Sequence, residues 1–204
     1  YDRTVPQTRW PCSSCKGYGC KKCNDTGQLY PDSVQSLVAE PFIMETFCKE
    51  DLFHGMGRED IDAAMLGSGR PFVIELRMPK IRDIDLRMIE NQINKKNKSR
   101  IKVTNLKFVE RSRVAELKNT VCDKTYRVDV SIIGEDSIES LKKGAQRLTG
   151  TVIEQRTPMR VSHRRADLVR PRLINSIDVT SFEGNMAEMV IRAQHGTYIR
   201  ELVS

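Results

Sequence analysis

The 204-residue sequence is poor in histidine, with three residues, and in aromatic side chains, which make up 6% of it, with one tryptophan. His54, His163 and His195 are scattered, so neither a histidine metal site nor a Ser-His-Asp constellation is read from them. No apolar run approaches the ~18 residues of a membrane helix, which excludes a transmembrane reading. Tyr1 to Pro6 hold no apolar segment of the kind a secretory signal needs. There is no internal repeat and no low-complexity stretch. Cysteine is almost absent outside one cluster, which argues against a disulfide scaffold of the secreted type. The chain begins without methionine and stops in the middle of a predicted helix, so it reads as a fragment of a longer protein.

What is present is basic and globular. Lys and Arg number 34 against 27 Asp and Glu, a formal net charge of +7, and hydrophobic residues reach 39%. That is enough apolar material for a core, and the excess of cations suits a polyanionic partner.

Four of the six cysteines, Cys12, Cys15, Cys20 and Cys23, fall within twelve residues. Two CxxC pairs offer four thiolates to one tetrahedral metal, and Gly17, Gly19 and Gly27 allow the turns such a loop requires. The reading is one structural zinc with no open coordination position; a redox dithiol and unmetallated cysteines are the alternatives. The two halves resemble, over sixteen residues, the CxxCxGxG knuckles of DnaJ-type chaperones. Cys48 and Cys122 read as buried small hydrophobes.

Periodicity predicts a short helix from Ser33, ended by Pro41, and a strand at Phe42–Phe47. A loop over His54–Arg70 and a strand over Pro71–Leu76 follow. Ile84, Leu86, Ile89 and Ile93 mark an amphipathic helix. Strands are expected at Ile101–Val109 and Tyr126–Ile133, then a helix over Ser137–Leu148 capped by Ser137. Further strands are read at Val152–Ile153, Leu173–Val179 and Met186–Ala193, and a helix from Thr197 on. Elements intermix without a βαβ rhythm, so the expected class is α+β, with a mixed, largely antiparallel sheet and flanking helices. A small Cys-rich head, 1–31, would precede a main domain, 32–204.

Four segments carry candidate chemistry. Gly57-Arg58-Glu59-Asp60 opens a stretch with three carboxylates among arginines and glycines; its plain reading is a solvated turn of paired charges. Lys124-Thr125-Tyr126 opens a strand. Gly196-Thr197-Tyr198-Ile199-Arg200-Glu201-Leu202 joins a strand to a helix. Between Arg156 and Arg172 lie six arginines, Arg156, Arg160, Arg164, Arg165, Arg170 and Arg172, a density suited to phosphate contact. A second charge run, Lys95 to Arg100, reads as a solvated helix end, with RNA contact the alternative.

Together these segments resemble the pseudouridine synthases. GRED is similar to the GRxD element that carries the catalytic aspartate in the TruA branch. KTY and GTYIREL are similar to the KxY and GTYIRxL elements of the TruB branch. HGMGREDIDAAMLGSGRPFVIE, TPMRVSHRRADLVRPR and the CxxC pairs point more narrowly to the archaeal-type tRNA pseudouridine synthases of the Pus-ten group. The likeness runs over essentially all 204 residues. It departs at Ala64, where that family usually carries arginine, and lacks the family's N-terminal RNA-binding domain and C-terminal tail.

The resemblance implies the pseudouridine synthase fold and an isomerase acting on a flipped uridine in the TΨC arm of tRNA, at position 55 and also 54. Asp60 would be the catalytic carboxylate, ahead of Asp62 and Glu59, and Arg200 its cationic partner. Tyr126 would stack on the base and Tyr198 line the same pocket. Arg58, Arg160, His163, Arg164, Arg165 and Arg170 would contact RNA. No cofactor is expected for catalysis beyond the structural zinc, no protein partner or membrane is implied, and the expected location is cytoplasmic. The rival reading is a non-catalytic, zinc-containing RNA-binding module.

Overall fold

The structure is a computed structural model that describes residues 5–59, 61–133, 138–162 and 165–204. Asp60, the cap residue Ser137, His163 and Arg164 lie outside the described residues. The chain divides into two compact units, Tyr1–Thr120 and Val121–Ser204.

In the first unit the Cys-rich segment leads into helix α1 (Val34–Thr46), strands β1 (Glu50–Gly55) and β2 (Phe72–Arg77), and helices α2 (Leu86–Lys96) and α3 (Ser112–Asn119). The two strands pair antiparallel, with Phe53 opposite Ile74, and the rings of Phe53 and Phe72 stack at 5.2 Å. Ser33 starts α1 by accepting from the Ser36 amide at 3.0 Å, while the Ser36 hydroxyl accepts in return from the Ser33 amide at 2.7 Å. The α1 N-terminus is also fed from the leading segment, since the amides of Val34 and Gln35 donate to the carbonyls of Pro6 and Gln7 at 2.9 and 3.0 Å.

Three expectations fail here. Pro41 does not end α1; the helix runs through it to Thr46, and Phe47 closes it at φ +52°. Proline removes one amide from the ladder, but Val38 and Phe42 on either side are buried, so packing of the following turn outweighs that loss. The expected strand at Phe42–Phe47 is the second half of this helix. Residues 101–109 are not a strand either. The Asn94 side chain takes both backbone groups of Val103, donating to its carbonyl and accepting from its amide at 2.8 Å each. Glu90 accepts from the Leu106 amide at 3.0 Å. The segment therefore satisfies its backbone on α2 rather than on a neighbouring strand. The first core joins Val5, Val34, Leu37, Val38, Phe42, Ile89, Ile93, Ile101 and Val103.

The second unit is a four-stranded antiparallel sheet in the order β3-β6-β5-β4, made of β3 (Lys124–Ser131), β4 (Thr151–Arg156), β5 (Val169–Glu183) and β6 (Met186–Ala193). Helix α4 (Ile138–Leu148) and the terminal helix α5 (Ile199–Val203) accompany it. Alternation along β3 and β4 puts every second residue on the covered face, as a half-buried strand requires. Ala145, Ile174, Ile177, Met189, Ile191, Ala193 and Ile199 form its core. The class is α+β as expected, and both sheets are antiparallel throughout the described residues.

Candidate functional site

The cysteine cluster is assembled by local backbone geometry. Gly17 and Gly27 approach so closely that a Cβ on Gly27 would collide with the Gly17 carbonyl, and both have positive φ. An antiparallel bridge between Pro11 and Gln28 closes the base of the loop, and the Cys12 amide donates to the Gly27 carbonyl at 2.7 Å. All four Sγ atoms lie within 4.8 Å of one another, and none is in a disulfide. Cys12 and Cys20 are separated by 4.0 Å, Cys15 and Cys23 by 3.8 Å, and Cys20 and Cys23 by 3.7 Å. Tetrahedral zinc with Zn–S near ~2.3 Å needs S···S separations of about 3.8 Å, which these three edges match, while all the edges lie within 4.8 Å.

Backbone amides are aimed at the sulfurs. Gly19 donates to Cys15 at 3.2 Å, and Cys20 and Gly27 donate to Cys23 at 3.3 Å each. Backbone hydrogen bonds from Cys15 and Ser14 pull the Cys12 thiol down to about 6. Burial pushes the Cys23 thiol up, but backbone hydrogen bonds from Cys20 and Gly27 outweigh it and leave the value lowered. A backbone bond from Cys23 lowers Cys20, yet burial and the neighbouring thiols prevail and push it up to about 11. Thiols packed this closely cannot all ionise unaided, and a divalent cation removes that conflict. The cluster can hold a metal ion.

The GRED turn lies in the same unit, at the end of β1. Gly57 takes φ +79°, a region glycine enters at no steric cost. Arg58 is exposed and lays its guanidinium over the Trp10 ring, 4.8 Å from the centroid. Glu59 does not project into solvent. It pairs with Arg70 at 2.6 Å, with side-chain exposures of 16% and 9%, and Arg70 also donates to Gln7 at 2.9 Å. Gln7 in turn donates to the Gly57 carbonyl at 3.2 Å. Glu59 is thus committed to an ion pair, while Asp62 is exposed. Ala64, at the departure from the family pattern, is half-buried in the same loop.

The other candidate segments are in the second unit. Register places Lys124 opposite Ala193 and Tyr126 opposite Ile191. The GTYIREL segment leaves β6 just past Ala193, so Tyr126 is two residues, roughly 7 Å along the strand, from the sheet end where that segment departs. Tyr126 is half-buried against the core to which Ile199 belongs. Tyr198 stands at the start of α5, and its backbone is clamped by one side chain. Gln155 accepts from the Tyr198 amide at 2.7 Å and donates to its carbonyl at 2.9 Å. Arg200 lies in the first turn of α5 and is exposed. Arg172 donates to the Gly196 carbonyl at 3.2 Å, tying the arginine-rich strand to the same segment.

The six arginines are not equivalent. Arg156 forms a two-pronged pair with Asp167 at 2.8 and 2.5 Å. The hydrogen bond to Arg156 holds the Asp167 carboxyl below the usual range. Arg160 lies 3.8 Å from Glu201 on α5, and Arg165 is exposed. Arg170 is half-buried on β5 and reaches the Thr157 hydroxyl at 3.4 Å.

Gln155, Gln7, Trp10 and Arg70 were not singled out by the sequence. Gln155 left a signal: in Thr151-Val152-Ile153-Glu154-Gln155 it occupies the register of Ile153, a polar side chain where an apolar one is due. Trp10 and Gln7 left none, because their partners Arg58, Gly57 and Arg70 are remote in the chain.

Over residues 1–204 the chain matches the family described as Pus10, C-terminal. A relative from Methanocaldococcus jannaschii named tRNA pseudouridine synthase Pus10 is 47% identical over 202 residues, 99% of this chain and 44% of that protein. Proteins of the same name from Methanothrix thermoacetophila and Archaeoglobus fulgidus are 45% and 42% identical, each covering 99% of this chain and 44% and 56% of their own length. The chain therefore spans about half the length of the curated relatives it matches. A chain in the crystal structure of a Cbf5–Nop10–Gar1 complex shares the fold, with TM-score 0.50 and 16% identity over 81% of this chain and 37% of that one.

Proposed function

Because the chain belongs to the Pus10 C-terminal family, we propose that it is the catalytic part of a tRNA pseudouridine synthase. The reaction isomerises uridine to pseudouridine in the TΨC arm, at position 55 and also 54. The N-glycosidic bond breaks, the base turns, and a carbon–carbon bond forms in its place. Atoms and electrons balance within the nucleotide, so the net change consumes no oxidant, reductant or nucleotide triphosphate. The base leaves the helical stack to be reached.

In this reading Asp60 is the carboxylate at the sugar. Burial against a base would tend to protonate it, and the guanidinium of Arg200 keeps it ionised. Tyr126 stacks on the base, an interaction of about 1–3 kcal/mol, and Tyr198 lines the pocket. Arg58, Arg160, His163, Arg164, Arg165 and Arg170 contact the RNA. The four cysteines hold zinc, which braces the fold and leaves no position for water. The functional division is a head, 1–31, and a catalytic domain, 32–204, in a cytoplasmic protein. No helix among the described residues is long and apolar enough to cross a membrane.

The observation that carries the reading is the register of β3 on β6, which brings the KTY and GTYIREL elements to one end of one sheet. The test uses the full-length protein that contains this chain, an unmodified tRNA, and position-resolved mapping of pseudouridine. Pseudouridine in the TΨC arm is expected from the wild type. Asp60→Asn should still bind tRNA but lose turnover, and Asp62→Asn should keep substantial activity. No pseudouridine with tRNA still bound would replace the reading with that of a zinc-containing RNA-binding module.

A further inference from the structure

We propose that Gln7 and Trp10 are positioning residues for the turn that carries Asp60, and that through them the four-cysteine head sets that turn's geometry. The inference rests on the catalytic reading of Asp60. The three residues immediately before Asp60 are each held by a different contact, and each contact traces to the leading segment. The Gly57 carbonyl accepts from the Gln7 side chain at 3.2 Å. Arg58 lies on the face of Trp10 at 4.8 Å. Glu59 is gripped by Arg70, whose second amine donates to the same Gln7 at 2.9 Å.

The leading segment is itself fixed at both ends. Val5 is buried in the first core, and Arg9 pairs at 2.8 Å with the buried Asp51, which Gln35 holds from its other oxygen at 2.8 Å. At the far end the Trp10 carbonyl accepts from the Leu29 amide at 2.8 Å, its ring meets the edge of Tyr30 at 5.7 Å, and Pro11 and Cys12 follow directly. Trp10 precedes Cys12 by two residues, and the Leu29-to-Trp10 bond and the Pro11–Gln28 bridge that close the cysteine loop fix the backbone from which its indole projects. The base of the turn is closed by the Met56 amide, which donates to the Pro71 carbonyl at 3.0 Å, and its Gly57, Arg58 and Glu59 are held from across the unit. Reacting groups displaced by about 1 Å lose on the order of a hundredfold in rate, so a turn of this kind is where such a brace has leverage.

The experiment compares Trp10→Leu, Trp10→Phe and Gln7→Leu with wild type in the full-length protein. It measures single-turnover pseudouridine formation at saturating enzyme, tRNA Kd, and bound zinc. Expected are a rate about tenfold lower or more for Trp10→Leu and Gln7→Leu, with zinc content retained and Kd changed far less than the rate, and recovery of most of the rate in Trp10→Phe, which keeps an aromatic face for Arg58. Wild-type rates in both Leu variants would overturn the brace and leave the proposed function standing. A loss of rate in the Leu variants that tracks loss of zinc would overturn the positioning role of Gln7 and Trp10, since the substitution would then act by unfolding the head. A second measurement does not depend on activity. The 19F resonance of 5-fluorotryptophan at Trp10, assigned by its absence in Trp10→Phe, should move in Arg58→Ala. An unmoved resonance overturns the contact. Absence of pseudouridine from the wild type on any tRNA would sink the proposed function, and the fluorine signal would then judge the brace by itself.

Discussion

The two compact units reach their structures by different means. The Cys-rich head of the first has no apolar core of its own: between Cys12 and Leu29 the buried residues are Cys12 and Gly27. Its order comes from turns, amide-to-sulfur bonds and four thiols with the spacing of a metal site. The sheet of the second unit comes from alternating strands that close on Ile174, Ile177, Met189, Ile191 and Ile199. Each candidate site inherits the character of its surroundings. The GRED turn is held by a polar network tied to the head, whereas Tyr126 and the GTYIREL segment are fastened to a strand register. On the proposed metal reading the first arrangement depends on the bound ion, whereas the second rests on packing.

Metal removal gives the sharpest break between them. Structural zinc contributes on the order of 10 kcal/mol to the folding of small metal-dependent segments. Chelation, or Cys15→Ser, should therefore free the amides of 12–29 to exchange with solvent while those of β5 and β6 stay protected. Hydrogen exchange read segment by segment checks this. Equal loss of protection in both units would mean that the sheet depends on the head and that the contrast is false. Acid should release the metal as well, because the thiolates must be deprotonated to bind it.

The converse is a cavity in the sheet. Ile191 is wholly buried, in the register opposite Tyr126. Ile191→Ala should cost about 2–5 kcal/mol, read as a lowered unfolding midpoint of the second unit with bound zinc unchanged. A loss under about 1 kcal/mol, well below that range, would show that the core is not what holds Tyr126 in place.

A smaller effect separates position from stability within the second unit. Gln155→Leu removes both bonds to the Tyr198 backbone and leaves an amide and a carbonyl without these partners, a cost of about 1–3 kcal/mol. The α5 start should loosen, and the single-turnover rate should fall more than tRNA affinity does. If affinity falls while the rate holds, Tyr198 belongs to RNA docking rather than to the pocket.

This contrast also explains how far the sequence could be read. The second unit's strands were legible because alternation is local: Tyr126, Val128 and Val130 announce their own face. The cysteine cluster was legible because its ligands fall within twelve residues. The helix through Pro41 was not, since local propensity stops it and only the burial of Val38 and Phe42 continues it. The segment 101–109 looked like a strand by composition, but Asn94 and Glu90 took its backbone bonds. The grip on the GRED turn was hidden for the same reason. Gln7 meets Gly57 across 50 residues, and nothing in either neighbourhood points to the other. The family motifs named Asp60, Arg200 and Tyr126 without naming what holds their segments.

The smallest expected effect concerns pH in the first unit. Glu75 on β2 lies 3.2 Å from the His54 ring on β1 and 3.4 Å from Arg77. The hydrogen bond to His54, with a smaller contribution from Arg77, holds its carboxyl below the ordinary value. A carboxyl depressed in the folded state binds fewer protons there than when unfolded. Its contribution is therefore fully present above the unfolded value of about 4.3 and is lost as pH falls through the folded one. Because the group is partly exposed, screening leaves a few tenths of a kcal/mol. Glu75→Gln should be slightly destabilising at pH 7 and nearly neutral once the pH has fallen below the folded value. It should flatten the first unit's stability profile between about pH 4.3 and that lower folded value. Denaturant midpoints across that range, compared between wild type and Glu75→Gln at matched metal content, provide the measurement. An unchanged slope would mean that the His54–Glu75 pair adds nothing measurable to the β1–β2 pairing, bringing that part of the first unit closer in kind to the sheet of the second.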